Sequence, residues 1–307
     1  MTRRWRLHGL KQSYFTGKLE GYLRVKGVAF DFVEMDTADF RACGRATGVL
    51  QMPQLQAPGG EWLTDTTAIL RRFEADQPEP ALQPSSAVGA FLSLFLEDAF
   101  DEWLWRPALY YRWAFHEDSR LMGRQLGRTI LGDVPGPLGL RALIIRRRQQ
   151  RTFLREDGVT RETAPLVEAI YADALAALEP IFARRPFLFG ERPVAADFGL
   201  FGPMFRHFFS DPTPAAIMRE TAPNVLAWTA RLWALTPEAA AAAPRPVDAP
   251  ADLDPLLKLA AHEHLTELAA NLDAVTDRRR EAVFDLRGAR WRTPVSPYCA
   301  ACLIDLR

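Results

Sequence analysis

Two short stretches carry residues whose types and spacing suit chemistry at the start of a helix. In "HGLKQSYFTGKLEGYLRVKG", residues 8 to 27, Ser13 follows a polar turn and precedes an apolar helical pattern. A hydroxyl there either caps the helix or offers its proton to an anion, since unsatisfied backbone N–H groups gather at that end. In "LTDTTAIL", Asp65 and Thr66 stand at a second helix start. Both are natural caps, and the unsatisfied N–H groups at such a start favour an anionic group. Ser13 as a hydrolytic nucleophile has little support, because the chain has no G-x-S-x-G. The pair "CAAC", Cys299 to Cys302, is a single C-x-x-C. A tetrahedral metal centre needs two further ligands, and the H-x-H of His262 and His264 is not a familiar zinc pattern, so no metal is expected.

Around these residues the composition is that of a globular protein, 48% hydrophobic and 25% charged. The 38 basic residues balance the 38 acidic ones, so bulk charge recruits neither nucleic acid nor an acidic membrane, and no such partner is expected. The basic run "RRRQQR" reads as a solvated helix face. The opening "MTRRWRLHGL" has no apolar segment behind its basic residues, no run reaches membrane-spanning length, and three cysteines make no disulfide framework. A cytoplasmic protein is the expectation.

The elements that must position the candidate residues fall into three segments of the 307 residues. Residues 1–80 read as strand, helix (Leu19, Tyr22 and Leu23 at helical spacing), strand, loop, then two short strands and a helix carrying Ile69 and Phe73. This order predicts a small mixed sheet with helices packed on it. Residues 86–243 are helical throughout. Val167, Ile170, Tyr171, Ala174, Leu175 and Leu178 form one apolar stripe, and Phe198, Phe201, Phe205 and Phe208 another. Pro107 is expected to end or kink the tryptophan-rich helix before it. Residues 244–307 begin with a proline-rich linker and continue through a helix to a hairpin turning near Gly288, an extension expected to pack on the body.

Four motifs give this order a family resemblance. "SYFTGKLEGYLRVKG" resembles the glutathione transferase stretch in which a serine leads through a helix to Lys-Gly, with Tyr14 where that family usually has proline. "QMPQL" is similar to its Val-Pro loop, and "LTDTTAIL" to its acidic-hydroxyl helix start. "RPVAADFGLFG" is similar to its helical-domain motif, with Asp197 as the buried aspartate and Val194 in place of the usual hydroxyl cap. The resemblance spans roughly residues 4 to 235.

It implies a thioredoxin-like α/β domain followed by an all-α domain, and a homodimer. It implies glutathione as co-substrate, with Ser13 as the catalytic residue facing its thiol, Met52 before a cis Pro53 meeting its backbone, Asp65 and Thr66 holding the γ-glutamyl end, and Gln51 near the glycyl carboxylate. A free thiol of pKa about 8.5 is only slightly ionised at pH 7. A hydrogen bond to the anion, worth about 1.5–3 kcal/mol, together with the positive end of a helix lowers that pKa by about one to two units. An apolar electrophile then lodges against Tyr14, Phe15, Trp105, Tyr110 and Trp113. The reaction is left open among conjugation, reduction, isomerisation and dehalogenation. The rival expectation is a non-catalytic interaction module that keeps the fold and loses the ligand, to which Tyr14 in place of proline, Val194 in place of the cap and a long tail able to cover the cleft all point.

Overall fold

The computed structural model describes residues 4–306. The chain begins β1 (Trp5–Gly9), α1 (Tyr14–Val25), β2 (Phe30–Glu34), α2 (Thr37–Thr47), β3 (Gln54–Gln56), β4 (Trp62–Leu63) and α3 (Thr66–Asp76). The strands form one sheet in the order β2-β1-β3-β4. β1 and β2 are parallel, as the crossover through α1 demands, while β3 runs antiparallel to β1 and to β4. The segment expected as a loop after β2 is α2. Its start is capped by Asp36, which accepts from the Asp39 N–H at 2.8 Å, and its end by Gly48 at φ 78°. Cys43 is its only fully buried side chain, so the apolar periodicity that signals a helix is missing.

The helices that follow are α4 (Ala87–Trp103), α5 (Trp105–Ala114), α6 (His116–Arg128) and α7 (Leu138–Gln150), the last running into a π-helical turn, Arg151–Arg155. Then come α8 (Ala164–Phe182), α9 (Ala195–Pro203) with a second π turn at Met204–Phe208, α10 (Pro212–Thr221), α11 (Pro223–Ala234) and α12 (Pro237–Ala242). Pro107 sits in the first turn of α5, where its missing N–H costs nothing, and the break falls just before it at Leu104. The six-residue stripe of α8 is buried along its whole length. The phenylalanine stripe departs from the expectation: it crosses the π turn, which leaves Phe205 only partly buried.

Helix α1 joins the sheet domain to the helices. Leu19, Tyr22 and Leu23 enter the common core, and Gly21 lies so close to Phe201 that a Cβ would stand 2.8 Å from its ring. Lys18, also fully buried, pairs with Glu97 and Asp101 of α4, and Thr67 of α3 donates to Glu97 at 2.7 Å. Burial alone lowers a lysine's pKa, but the two carboxylates outweigh it and hold this ammonium charged. Asp197 is fully buried and accepts from the Val194 and Leu188 N–H groups at 3.0 Å. Valine supplies no reciprocal acceptor, so only half of a capping box is made.

The extension packs on this body. After a 3₁₀ turn at Ala251–Leu253, α13 (Asp254–Thr276) crosses α4, where Trp103 donates to Glu263 at 2.7 Å. The expected hairpin is β5 (Glu281–Leu286) with β6 (Ala289–Pro294), and it buries Trp291. Helix α14 (Pro297–Asp305) then lays Cys299 and Cys302 against Leu268 of α13.

Candidate functional site

Ser13 does cap α1: its Oγ accepts from the Thr16 N–H, at the long distance of 3.4 Å. The side chain stays partly exposed and faces a cavity of about 660 Å³ between the sheet domain and the helices. The peptide before Pro53 is cis, and Met52 and Gln51 border the same cavity. The carboxamide of the buried Gln54 holds their loop by donating to Val49 O at 2.8 Å and Gln51 O at 3.1 Å. Asp65 caps α3, its Oδ1 accepting from the Thr67 and Ala68 N–H groups at 2.9 and 3.3 Å. Its φ is 67°, a backbone conformation a non-glycine residue holds only under constraint, and such strain gathers at ligand clamps. Thr66, nearly buried, follows it on the lining.

On the helical side the lining includes Leu109, Trp105 and Trp113 of α5, with Phe153 of the first π turn. Phe15 stacks on Trp105 with ring centres 5.6 Å apart. Tyr14 contributes only a ring edge: it is 1% exposed, and its hydroxyl donates to the Phe100 carbonyl. Burial, with the charges of Asp101 and Glu102, raises that phenol far above its ordinary value, so Tyr14 keeps its proton. Tyr110 is elsewhere. Its hydroxyl donates to Glu168 at 2.8 Å and its ring packs on Tyr111 and Phe115, because it leaves α5 on a different face from Trp105 and Trp113.

Several site-forming residues have no local sequence signal. Arg112 reaches across the cleft, donating to the carbonyl of Gln12 at 2.6 Å and to Asp211 at 2.8 Å, both partners of the ion pair being buried. His207 touches the same guanidinium at 3.0 Å, and burial followed by that positive charge lowers its pKa well below the usual value. Arg41 and Arg148 stand at the exposed rim. The extension adds Tyr298 to the wall, half-exposed, its pKa raised by burial and by the charge of Asp65. Glu102, at the end of α4, lines this cavity and a second one of about 440 Å³ between α5, α13, β6 and α14; Trp105 and Phe153 are shared in the same way.

The cysteines take no part in lining the first cavity, and Cys299 borders the second. Cys299 and Cys302 are buried thiols whose pKa values are raised, first by burial and then by the neighbouring carboxylates. His264 is engaged by Asp98 at 2.6 Å rather than by those sulfurs. Among the described residues one set of metal-type donors does converge: His8, Asp39 and Cys43. They already satisfy one another, His8 Nδ1 to Asp39 at 2.9 Å and Cys43 Sγ to the same carboxylate at 3.7 Å.

Residues 7–81 match the family model for the glutathione S-transferase N-terminal domain. The first domain is thus of the glutathione S-transferase N-terminal type, and the chain as a whole shares its fold with solved glutathione transferase-like structures. Solved structures with this fold include the β-etherase LigF from Sphingobium sp. strain SYK-6, at 20% identity over 75% of this chain and 95% of that one, with a TM-score of 0.53. A GST-like protein from Pseudomonas syringae matches at 20% identity over 76% of this chain and 67% of that one, with a TM-score of 0.51. A glutathione S-transferase from Methylobacterium radiotolerans, in complex with glutathione sulfonate, matches at 20% identity over 75% and 91%, with a TM-score of 0.46. No curated protein matches in sequence. In this transferase-fold chain the extension past residue 243 adds α13, the hairpin and α14, and no helix among the described residues is long and apolar enough to cross a membrane.

Proposed function

We propose that the protein is a glutathione-dependent enzyme in which a bound glutathione thiolate attacks an apolar electrophile. One observation carries this reading: a single cavity gathers Ser13, the Met52–Pro53 loop and the Asp65–Thr66 helix start from three separate segments against an aromatic wall. Glutathione lies along Met52 and Pro53, its γ-glutamyl ammonium on Asp65 and the adjoining carboxylate on Thr66. Its glycyl carboxylate turns to Gln51, with Arg41 supplying charge at the rim. The Ser13 hydroxyl and the positive end of α1 favour the thiolate. The electrophile rests against Phe15, Trp105 and Trp113. The enzyme acts as a homodimer in the cytoplasm, a reducing compartment in keeping with three free cysteines.

A tail covering the cleft is one of three departures, with Tyr14 and Val194, behind the interaction-module reading. The tail instead contributes Tyr298 to the wall of a cavity that stays open, which favours the enzyme.

Calorimetric titration of glutathione into the protein near neutral pH tests the site, with Asp65→Asn beside it. Asparagine keeps the capping oxygen and loses only the charge. Binding by the parent that weakens about tenfold in the variant, the loss of one charge-assisted hydrogen bond, is expected. Neither heat nor displacement of a bound thioether would return the protein to the interaction modules.

A further inference from the structure

The thiolate scheme leaves one carboxyl in the cleft without a task. Glu102 stands where the two cavities meet and lines both. Among the described residues no cation pairs with it; its hydrogen-bond partner is the Cys299 thiol, which donates to Oε2 at 3.8 Å. The ionisable groups around it come from every neighbouring element. They are Asp98 and Asp101 of its own helix, Lys18 and Tyr14 of α1, Arg106 of α5, Glu156 and Asp157 past the first π turn, Glu267 and the Asp98-bound His264 of α13, and Tyr298, Cys299 and Cys302 of α14. The cations are already engaged, Lys18 by Glu97 and Asp101, and Arg106 by Glu267 at 2.7 Å. Burial first, then the charges of Asp98 and Glu267, push Glu102 up to about 8, so near pH 7 most of it carries a proton. A protonated carboxyl has one O–H to donate.

On the transferase reading above, we propose that Glu102 is the proton donor to an oxygen that becomes anionic as the bound thiolate attacks, and that the cleft selects electrophiles which generate an oxyanion, epoxides and aryl ethers foremost. The thiolate's electron pair forms the C–S bond, the C–O bond breaks with its pair passing to oxygen, and the Glu102 proton transfers to that oxygen. The product is a neutral alcohol or phenol. The Glu102 carboxylate then takes a proton from water, which the second cavity admits from the side away from the sulfur. An electrophile that expels chloride needs no such proton, and this separates the role of Glu102 from that of the thiolate.

The test compares 4-nitrostyrene oxide with 4-nitrobenzyl chloride, two electrophiles attacked at an activated carbon, by kcat/KM from about pH 6 to about 9. Taking the ratio of the two rates cancels ionisation of the glutathione thiol, which both reactions share. The epoxide-to-chloride ratio is expected to fall as pH rises through the Glu102 pKa of about 8. In Glu102→Gln the epoxide rate falls about 10- to 100-fold, at and below the low end of what proton transfer contributes because the amide N–H still donates a hydrogen bond, while the chloride rate stays within about twofold. The ratio in that variant is flat with pH. Turnover of the chloride with a pH-independent ratio in the parent protein would overturn the proton-donor role alone, whether or not the variant folds. Absence of glutathione binding would overturn the transferase reading and this proposal with it.

Discussion

The two sides of the cleft are built from different materials. On the sheet side the working groups belong to helix starts and one loop: Ser13 and Thr66 head α1 and α3, and Met52 presents its backbone beside a cis proline. Each acts together with residues one to three positions away, as when Asp65 accepts from Thr67 and Ala68. On the helical side the lining comes from segments as far apart as Glu102, Phe153, His207 and Tyr298. A surface made of local backbone geometry suits one fixed peptide ligand. A surface made of side chains on separate helices changes with each substitution, and so sets which second ligand fits.

Arg112 ties the two sides together, and breaking it has the largest effect expected. Its guanidinium holds the carbonyl of Gln12, one residue before Ser13, while its charge is balanced by the fully buried Asp211. Arg112→Met leaves that carboxylate without its partner, at a cost of about 3–5 kcal/mol. A lower denaturant midpoint is expected, together with loss of the Ser13-dependent activity. Adding Asp211→Asn should recover part of the stability without restoring the activity. A stability loss below about 1 kcal/mol with activity retained would mean that Arg112 does not tie the two sides together.

The same contrast decides what can be read from the sequence. The motifs around Ser13, Pro53 and Asp65 were legible because each is a short stretch whose neighbours do the positioning. Helix α2 reads as a loop in the sequence because it buries little and shows no stripe, although Asp36 and Gly48 cap it. For α5 the difficulty is the reverse. Buried side chains occur on nearly every face, so no polar side marks which aromatics meet the cleft. With about 100° per residue, Leu109 and Trp113 fall about 40° and about 80° round from Trp105, and Tyr110 lies farther, about 140° round from it. Glu102 and Tyr298 meet only through the packing of α13 and α14, which no local pattern encodes.

Ser13→Ala probes the sheet side alone. Loss of a hydrogen bond to a charged sulfur, about 1.5–3 kcal/mol, lowers kcat/KM by about 10- to 150-fold, and glutathione affinity changes little. The cap bond to Thr16 is long, so the accompanying loss of stability should sit near the low end of about 0.5–2 kcal/mol for a missing cap. The ultraviolet thiolate signal of bound glutathione separates the two outcomes. If it persists in the alanine variant, the end of α1 suffices and Ser13 is only a cap.

The last test belongs to the helical side and needs no substrate. Folding raises the pKa of Glu102 from the ordinary carboxyl range to about 8. Between those values the folded chain keeps a proton that the unfolded chain has released, so each step up in pH favours unfolding. The folded state therefore loses stability from about pH 4.5 to about 8, and the loss levels off above, where both states are ionised. Glu102→Gln removes this component, so the parent's Tm should drop relative to the variant's across that window and run parallel to it at higher pH. A constant Tm difference would mean that Glu102 titrates as an ordinary carboxyl, and the helical side would then hold an anion, with no proton to give, at the pH of the proposed thiolate attack.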